Sequence, residues 1–225
     1  MKYRWLTVKR RLLQSREFEQ PFADLIRQAI PAPGTAFKDA EIVSLDIETT
    51  GLDAVSADML SVGWVLIRDG RVDLSSARTY MVRPSGDVGD SASVHGLTDT
   101  MVGFGNEWAV ILSKVVEVLT GRVLLVHHAG LDKTLLDRMC KRHFGGRLLV
   151  PVIDTLALEH QRQQRRHHID EKKSLRLADL RARYNLPRYD AHDCLVDAIA
   201  TAELLIAMVA HNDGAARTCL RDLCE

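Results

Sequence analysis

The amino-acid sequence predicts an α/β protein with one mixed sheet, an antiparallel meander followed by parallel strands, and helices on both faces. Two observations lead to this fold class. The first half of the chain has strand-like runs joined by a tight turn, whereas the second half alternates short apolar runs with segments of helical periodicity. Hairpins form antiparallel pairs and strand-helix-strand units form parallel ones, so one sheet should contain both.

The antiparallel strands come first. Residues 42–48 form an apolar run, and residues 59–68 form a second run that ends in the turn sequence RDGR. The chain continues as ARTYMV, which alternates like a strand. We therefore expect three successive strands.

The α/β part begins near residue 106, where the apolar spacing becomes helical. Glycine and proline signals separate its elements. The predicted elements are a helix in 106–121, a strand in 122–130, a helix in 131–145, a short strand leading into a helix in 148–164, a helix in 174–187 and a closing helix in 192–212.

A proline- and glycine-containing break, AIPAPGTA, divides the chain near residue 40. We expect a basic N-terminal extension at 1–40, one domain at 41–212 and a short C-terminal tail at 213–225. In the extension, Trp5, Val8, Leu12 and Leu13 stand among basic residues, as in an amphipathic helix. This helix could pack on the domain, meet a partner or contact nucleic acid, and packing on the domain is the default expectation.

Composition excludes some classes of protein. The 30 Lys and Arg residues balance the 30 Asp and Glu residues, so any contact with nucleic acid must come from local clusters of charge. The four cysteines form no C-x-x-C pair, and the N-terminus lacks the apolar core of a signal peptide, which predicts a cytoplasmic protein with free thiols. No apolar run approaches the roughly 18 to 20 residues of a membrane span, so we expect no membrane contact.

The first predicted strand ends in two carboxylates. Because side chains alternate along a strand, Ser44, Asp46 and Glu48 share one face. At about 4 Å and an effective dielectric constant near 20, two such charges repel by roughly 4 kcal/mol. A divalent cation would offset this repulsion. The alternative is that Asp46 is a turn residue and Glu48 a charge that faces solvent.

Other acids fall where they could join this pair. Asp132 follows the strand in 122–130 and opens a helix, and Asp197 lies one turn inside the closing helix, five residues after His192. The carboxyl ends of strands and the adjoining helix starts form one edge of an α/β sheet. Taken alone, Asp132 and Asp197 could simply favour the helix dipole, with His192 in a loop before a cap at Asp193.

Five segments together resemble the DEDDh family of exonucleases, DnaQ-like enzymes that include the proofreading epsilon subunits of bacterial DNA polymerase III. The segments are LDIETTGL, VHGLTD, VHHAGLDKTLL, VIDTLAL and HDCLVDA. The resemblance covers about residues 41 to 210 and implies a ribonuclease-H-like fold. It also implies a 3′ to 5′ exonuclease that releases nucleoside monophosphates with two divalent ions, Mg²⁺ or Mn²⁺, since carboxylate oxygens suit these ions.

The resemblance also assigns roles to individual residues. It makes His192 the general base, and the metal ligands would be Asp46, Glu48, Asp132 and Asp197. Thr49, Leu52 and His95 would contact the terminal nucleotide, although Leu52 could instead pack in the core and His95 could cap a helix. Two positions depart from the family pattern, with His128 in place of asparagine and Leu131 in place of phenylalanine.

Several points stay open at this stage. The basic segment 161–173 could follow a phosphate backbone or form a solvated loop, and the spacing of His160, His167 and His168 does not fit a zinc site.

Three functions compete. The favoured one is removal of nucleotides from DNA 3′ ends, alone or beside a polymerase or repair partner. The alternatives are an exoribonuclease and a silent nucleic-acid-binding module, although all four acids and the histidine are present.

Overall fold

The computed structural model describes residues 2–51, 53–83, 104–165, 174–190, 192–212 and 217–224. The described strands and helices follow the predicted order, except that the helices Phe22–Arg27 and Leu220–Leu223 were not predicted. In the described residues they are α1 (Lys2–Leu13), α2 (Phe22–Arg27), β1 (Ile42–Thr49), β2 (Met59–Arg68), β3 (Arg71–Met81), α3 (Trp108–Leu119), β4 (Val123–Val126), α4 (Asp132–Phe144), β5 (Val152–Asp154), α5 (Thr155–Arg165), α6 (Leu177–Arg183), α7 (Cys194–Asn212) and α8 (Leu220–Leu223).

The described strands form one sheet in the order β3-β2-β1-β4-β5. β1 pairs antiparallel with β2, and β2 pairs antiparallel with β3. β4 pairs parallel with both β1 and β5. The predicted fold class, a meander followed by parallel strands, is therefore confirmed. The parallel pairs place the carboxyl ends of β1, β4 and β5 at one edge of the sheet.

The RDGR turn joins β2 to β3 as the sequence predicts. Asp69 and Gly70 both have positive φ angles, 52° and 68°. Two left-handed central residues are typical of the tight hairpin turns that match the twist of antiparallel strands. This turn fixes the register of the meander.

Helices cover both faces of the sheet, as alternation along β1 requires. Val43 and Leu45 point into a core that they share with α2, α3 and α4, where Leu25, Leu112 and Leu136 are buried. The opposite face is covered mainly by α7. There the apolar residues are Ile42, Val65, Leu125, Ala202 and Leu205.

The N-terminal helix is attached by a buried arginine. Only 4% of Arg10 is exposed, and its guanidinium donates hydrogen bonds to the carbonyls of Leu149 and Gln28, both at 2.6 Å, and to those of Leu25 and Ile26. Burial lowers the pKa of Arg10 to about 10. The carbonyls at the end of α2 carry the negative end of a helix dipole, so they stabilise this charge.

The two terminal segments pair with each other. The amide of Phe37 donates to Thr218, and the amides of Leu220 and Arg221 donate to Thr35 and Pro33. Cys224 also bridges to β5. The described parts of the predicted extension and tail thus pack on the sheet, and the predicted domain boundaries stay a prediction.

Helix α7 is apolar enough to qualify as a membrane span by length and composition. The window Cys194–His211 has 18 residues, although Asp197 and Glu203 interrupt its apolar residues. Half of the window is buried inside the protein, where it packs on β1 and β2. A core helix in contact with a sheet has the same composition as a short span, and this burial accounts for its apolar character.

Candidate active site

Strand β1 carries Asp46 and Glu48 toward α7. Val43 and Leu45 are buried on the opposite face, so alternation turns the two carboxylates to the side that α7 covers. The pairing of β1 with β2 has an irregularity between Glu48 and Thr49. The shift leaves Leu60 of β2 without a partner on β1, and β1 ends one residue later, at Thr49. The carboxylates therefore lie just before the chain leaves the sheet.

The N-terminal end of α7 lies very close to the sheet. The Ser44 hydroxyl donates to the carbonyl of Ala198 at 2.7 Å. Gly63 stands opposite Asp46 on β2, and a Cβ at position 63 would lie 2.5 Å from the backbone nitrogen of Leu195. Real Cβ atoms do not come this close to backbone, so the approach requires glycine.

The first turn of α7 supplies Asp197. Asp193 begins the helix, because its Oδ1 accepts hydrogen bonds from the amides of Leu195 and Val196 at 2.9 and 3.1 Å. His192 precedes this cap with a φ of 73°, and its amide donates to Oδ2 of Asp197 at 2.9 Å. The backbone of His192 is thus tied to the carboxylate of Asp197.

Three of the four predicted acids meet at one point. One carboxylate oxygen from each of Asp46, Glu48 and Asp197 lies within 4.8 Å of the other two, and all three residues are half-buried. The three oxygens come from two elements, β1 and α7, and Asp46 and Asp197 are 151 positions apart in the sequence. No neighbouring pattern in the sequence could specify this contact.

Asp132 stands beside these three residues at the start of α4 and is 4% exposed. The turn before it is held by Asp154 at the end of β5, which the sequence analysis did not single out. Oδ1 of Asp154 accepts from the amide of His128 at 3.0 Å, and Oδ2 accepts from that of Ala129 at 2.8 Å. Asp154 thus fixes the path of the backbone into Asp132.

The pKa values of the four acids are all raised, mainly by burial. For Asp46 the pKa lies well above its usual range, because burial acts together with the charges of Asp132 and Asp197. Burial raises the pKa of Asp132 to about 8, with Asp154 and Glu48 contributing.

The other two acids shift in the same direction. Burial raises the pKa of Glu48, and the charge of Asp197 adds to this shift while His192 opposes it. Burial also raises the pKa of Asp197, whereas the amide and imidazole of His192 lower it. Desolvation and mutual repulsion therefore disfavour four ionised carboxylates at this edge.

The proposed substrate contacts are only partly visible. The hydroxyl of Thr49 donates to the carbonyl of Gly51 at 2.7 Å and so closes the turn after β1. Leu52 and His95 lie outside the described residues. His128, one of the departures from the family pattern, is exposed and has a φ of 92°. Asparagine tolerates such a backbone better than most residues, which accounts for its use there in the family.

The basic segment 161–173 is described only as far as Arg165. Within that part, Arg162 contacts the protein itself, since it donates to the carbonyl of Met208 at 3.0 Å and to the hydroxyl of Tyr184. Arg162 therefore attaches α5 to α7. His167 and His168 lie outside the described residues, as do Arg166, Lys172 and Lys173.

Two positioning residues were missed by sequence reasoning. Gly63 lies inside an otherwise apolar strand, where an isolated glycine indicates a close approach of backbone, and this signal was available. Asp154 belongs to the segment VIDTLAL, which supports the family resemblance. No sequence pattern indicated that its carboxylate would accept hydrogen bonds from the turn between β4 and α4.

The donor set fits a divalent cation. All the ligand atoms are carboxylate oxygens, which suit hard cations such as Mg²⁺, Mn²⁺ or Ca²⁺ and do not suit the soft ligand preferences of zinc or copper. A cation would also offset the burial and mutual repulsion that raise the pKa values of these acids. The fold and the oxygen cluster together define a candidate divalent-metal site at the edge of a mixed sheet.

The sequence model of the exonuclease family RNase_T matches residues 43–205. This match spans more than half of the chain, so the protein belongs to the exonuclease family. Its residues follow the DEDDh pattern of the DnaQ-like 3′ to 5′ exonucleases. The predicted family is therefore confirmed.

Curated relatives include DNA polymerases III of the PolC type. The protein of Thermotoga petrophila is 28% identical over 176 residues, which cover 78% of this chain and 12% of that polymerase. The protein of Thermotoga maritima has the same identity and coverage. The chain thus matches only about an eighth of the length of these relatives.

Solved structures of nucleases have the same fold. E. coli Exonuclease I in complex with a dT13 oligonucleotide has a TM-score of 0.63 and 15% identity, with 76% of this chain and 41% of that chain covered. Exonuclease X in complex with 5′ overhanging duplex DNA has a TM-score of 0.60 and 20% identity, and the coverage is 81% and 98%. At these identities the likeness shows the fold.

A substitution at Gly63 tests how the site is assembled. We expect Gly63→Ala to displace the start of α7 from β2 and to lower exonuclease turnover by on the order of 100-fold, since small displacements of a catalytic group have large effects. Unfolding free energy should fall by about 1 to 3 kcal/mol, as in overpacked cores. Turnover on a single-stranded oligonucleotide and urea denaturation measure the two effects. Gly34→Ala is the control, because no atom lies within 4 Å of its added Cβ. Equal activity of the two variants would contradict the role of Gly63.

The raised pKa values predict how stability depends on pH. Unfolded carboxyls titrate near pH 4, whereas Asp132 titrates at about 8 in the folded protein, so the folded metal-free form binds more protons between these values. Its free energy of unfolding should therefore fall as pH rises from about 4 to about 8. Thermal denaturation in EDTA should show a lower Tm at about pH 8 than at about pH 6, and Mg²⁺ should restore it most at the higher pH. Asp46→Asn should weaken both effects. A Tm in EDTA that rises over this interval would be the opposite result.

Proposed function

We propose that this protein removes nucleoside monophosphates one at a time from the 3′ ends of DNA, either single-stranded or frayed, during proofreading or repair. The observation that carries the proposal is the oxygen cluster of Asp46, Glu48 and Asp197 at the sheet edge. The choice of DNA is supported by the relatives, which are named DNA polymerases, and by the structural neighbours, which were solved with DNA.

The carboxylates would hold two divalent ions, Mg²⁺ or Mn²⁺. The proposed ligands are Asp46, Glu48, Asp132 and Asp197. When bound, a pair of such ions neutralises phosphate charge and lowers the pKa of water. The raised pKa values show that ionisation of these acids is unfavourable without a cation. Bound cations would stabilise the ionised carboxylates.

His192 is proposed as the general base that takes a proton from the attacking water. Its side chain is exposed, and its charge acts on both Glu48 and Asp197. The bond from its backbone to Asp197 couples the position of the imidazole to that of a proposed metal ligand. Histidine is the side chain most often used for proton transfer near neutral pH.

The terminal nucleotide would lie beside the turn that follows β1. Thr49 shapes this turn through its bond to Gly51. Roles for Leu52 and His95 at the terminal base are supported by the family resemblance only. Apolar side chains that contact a base without reading its edges would make such a pocket tolerant of sequence.

A DNA polymerase or a repair protein is the proposed partner, because the curated relatives carry the matching region within PolC-type polymerases. A cytoplasmic location is consistent with this role and with the four free cysteines.

The first test is incubation of the protein with single-stranded DNA and RNA of the same sequence, in Mg²⁺, Mn²⁺ or EDTA. We expect stepwise loss of 3′ nucleotides that requires metal and is faster on DNA. Asp46→Asn should abolish the loss, whereas Asp39→Asn, an exposed acid outside the site, should not change it. Faster degradation of RNA would indicate an exoribonuclease. No degradation in any metal would indicate a silent binding module.

Replacement of His192 separates proton transfer from metal binding. We expect His192→Ala to lower kcat by about 10² to 10⁴-fold, the usual contribution of a general base. Titration of the stabilising effect of Mn²⁺ on Tm should give nearly the same affinity as in the parent protein. His160→Ala is the matched control, since His160 is exposed on α5 away from the cluster. Unchanged turnover in His192→Ala would remove this residue from the mechanism.

A further inference from the structure

A large groove runs between α1 and the segment 145–152. It has a volume of about 1260 Å³, and its walls are mainly apolar with several cationic side chains. The matched exonuclease region begins at residue 43, so α1 is an addition to it. We propose that this groove holds the single-stranded nucleic acid on the 5′ side of the nucleotide being removed. The inference rests on the proposed function and extends it.

The wall formed by α1 alternates apolar and cationic residues. Trp5, Lys9 and Leu12 line the groove, and their spacing of four and three residues places them on one side of α1. Arg16 lines the groove just after the helix ends. Trp5 is 60% exposed and Leu12 is 71% exposed, although α1 is packed on the protein. Bases can stack on Trp5 and contact Leu12, while Lys9 and Arg16 attract phosphates.

The opposite wall reaches the active-site edge. Gly130 and Lys133 line the groove on either side of Asp132, the acid that opens α4. Asp154, at the carboxyl end of β5, lines the groove as well, so the groove extends to the edge of the sheet that carries the carboxylate cluster.

Two acids also line the groove, and both already have partners within the protein. Asp137 pairs with Arg147 at 2.7 Å, and Asp154 accepts hydrogen bonds from the amides of the β4–α4 turn. In contrast, Lys9, Arg16 and Lys133 make no ion pair with any residue of the described ranges. The charge available to a ligand is positive.

The charge pattern favours a polyanion over a second copy of this chain. The first 16 residues contain Lys2, Arg4, Lys9, Arg10, Arg11 and Arg16 and no acid. Pairing of two such helices would place like charges together. An acidic protein segment would satisfy the charge, but the position of the groove beside the edge that carries the cluster favours a strand that must reach that edge.

The groove is held in shape before a ligand arrives. Arg10, on the opposite side of α1 from Trp5 and Leu12, bonds to the carbonyls of Leu149 and Gln28. Leu149 also lines the groove, so one buried guanidinium fixes both walls relative to each other. A preformed groove avoids part of the entropy lost on binding.

The test measures binding and cleavage separately on the full chain. Fluorescence anisotropy with a labelled DNA strand of about 20 nucleotides, long enough to occupy both sites, is recorded in EDTA so that no cleavage occurs. We expect Lys9→Glu to weaken binding by about tenfold and to reduce the dependence of log K on log salt by about 0.7 or more, as expected for each lost contact. Hydrolysis of a dinucleotide in Mg²⁺ should not change, because a dinucleotide is too short to enter the groove.

Arg11→Glu is the matched control, with the same charge change on an exposed residue of α1 that does not line the groove. Trp5→Ala with Leu12→Ala tests the apolar contacts, beside Val8→Ala as control, and circular dichroism checks folding. If Lys9→Glu does not fold, the proposal is decided by comparing the binding of the variant Trp5→Ala with Leu12→Ala to that of Val8→Ala.

Binding equal to that of the parent, or equal loss in Lys9→Glu and Arg11→Glu, would overturn the proposal. So would a dimer of the parent that Trp5→Ala with Leu12→Ala abolishes. If the parent cleaves neither substrate, the proposed function fails, while the anisotropy result still decides whether the groove binds a strand.

Discussion

Repulsion between carboxylates is the interaction on which the organisation of this protein depends. Asp46, Glu48 and Asp197 bring oxygens within 4.8 Å of one another in a partly desolvated site, and each has a raised pKa. The contact exists because α7 is held against β1 and β2, where Ser44 bonds to the helix backbone and Gly63 leaves room for it. The apolar packing of α7 on the sheet opposes the repulsion.

The topology of the sheet explains why these acids share one edge. β4 and β5 run parallel to β1, so the chain leaves all three strands on the same side. Because β4 and β5 end on the same side, Asp154 at the end of β5 can accept hydrogen bonds from the turn that follows β4. One buried carboxylate thus fixes the position of another that is proposed to bind metal.

The terminal segments pack against the exonuclease region. Residues outside 43–205 contribute to both cores, through Phe22 and Leu25 on one face and Leu220 and Leu223 on the other. They also build the groove beside α1, where a buried Arg10 supports a helix whose exposed side carries Trp5 and Leu12. The additional segments therefore complete the fold and add a surface next to the proposed active site.

The sequence by itself determined the order of the strands and helices within residues 41–212, the shared face of Asp46 and Glu48, and the family. These follow from periodicity and local motifs, which depend on neighbouring residues. Only the tertiary structure decided that Gly63 admits α7, that Asp154 holds the turn before Asp132, and that Arg10 rather than Trp5 faces inward on α1. Periodicity indicates which side of an element is apolar, but it carries no information on which backbone carbonyls or helices lie opposite. These partners are brought together only by packing of segments far apart in the chain.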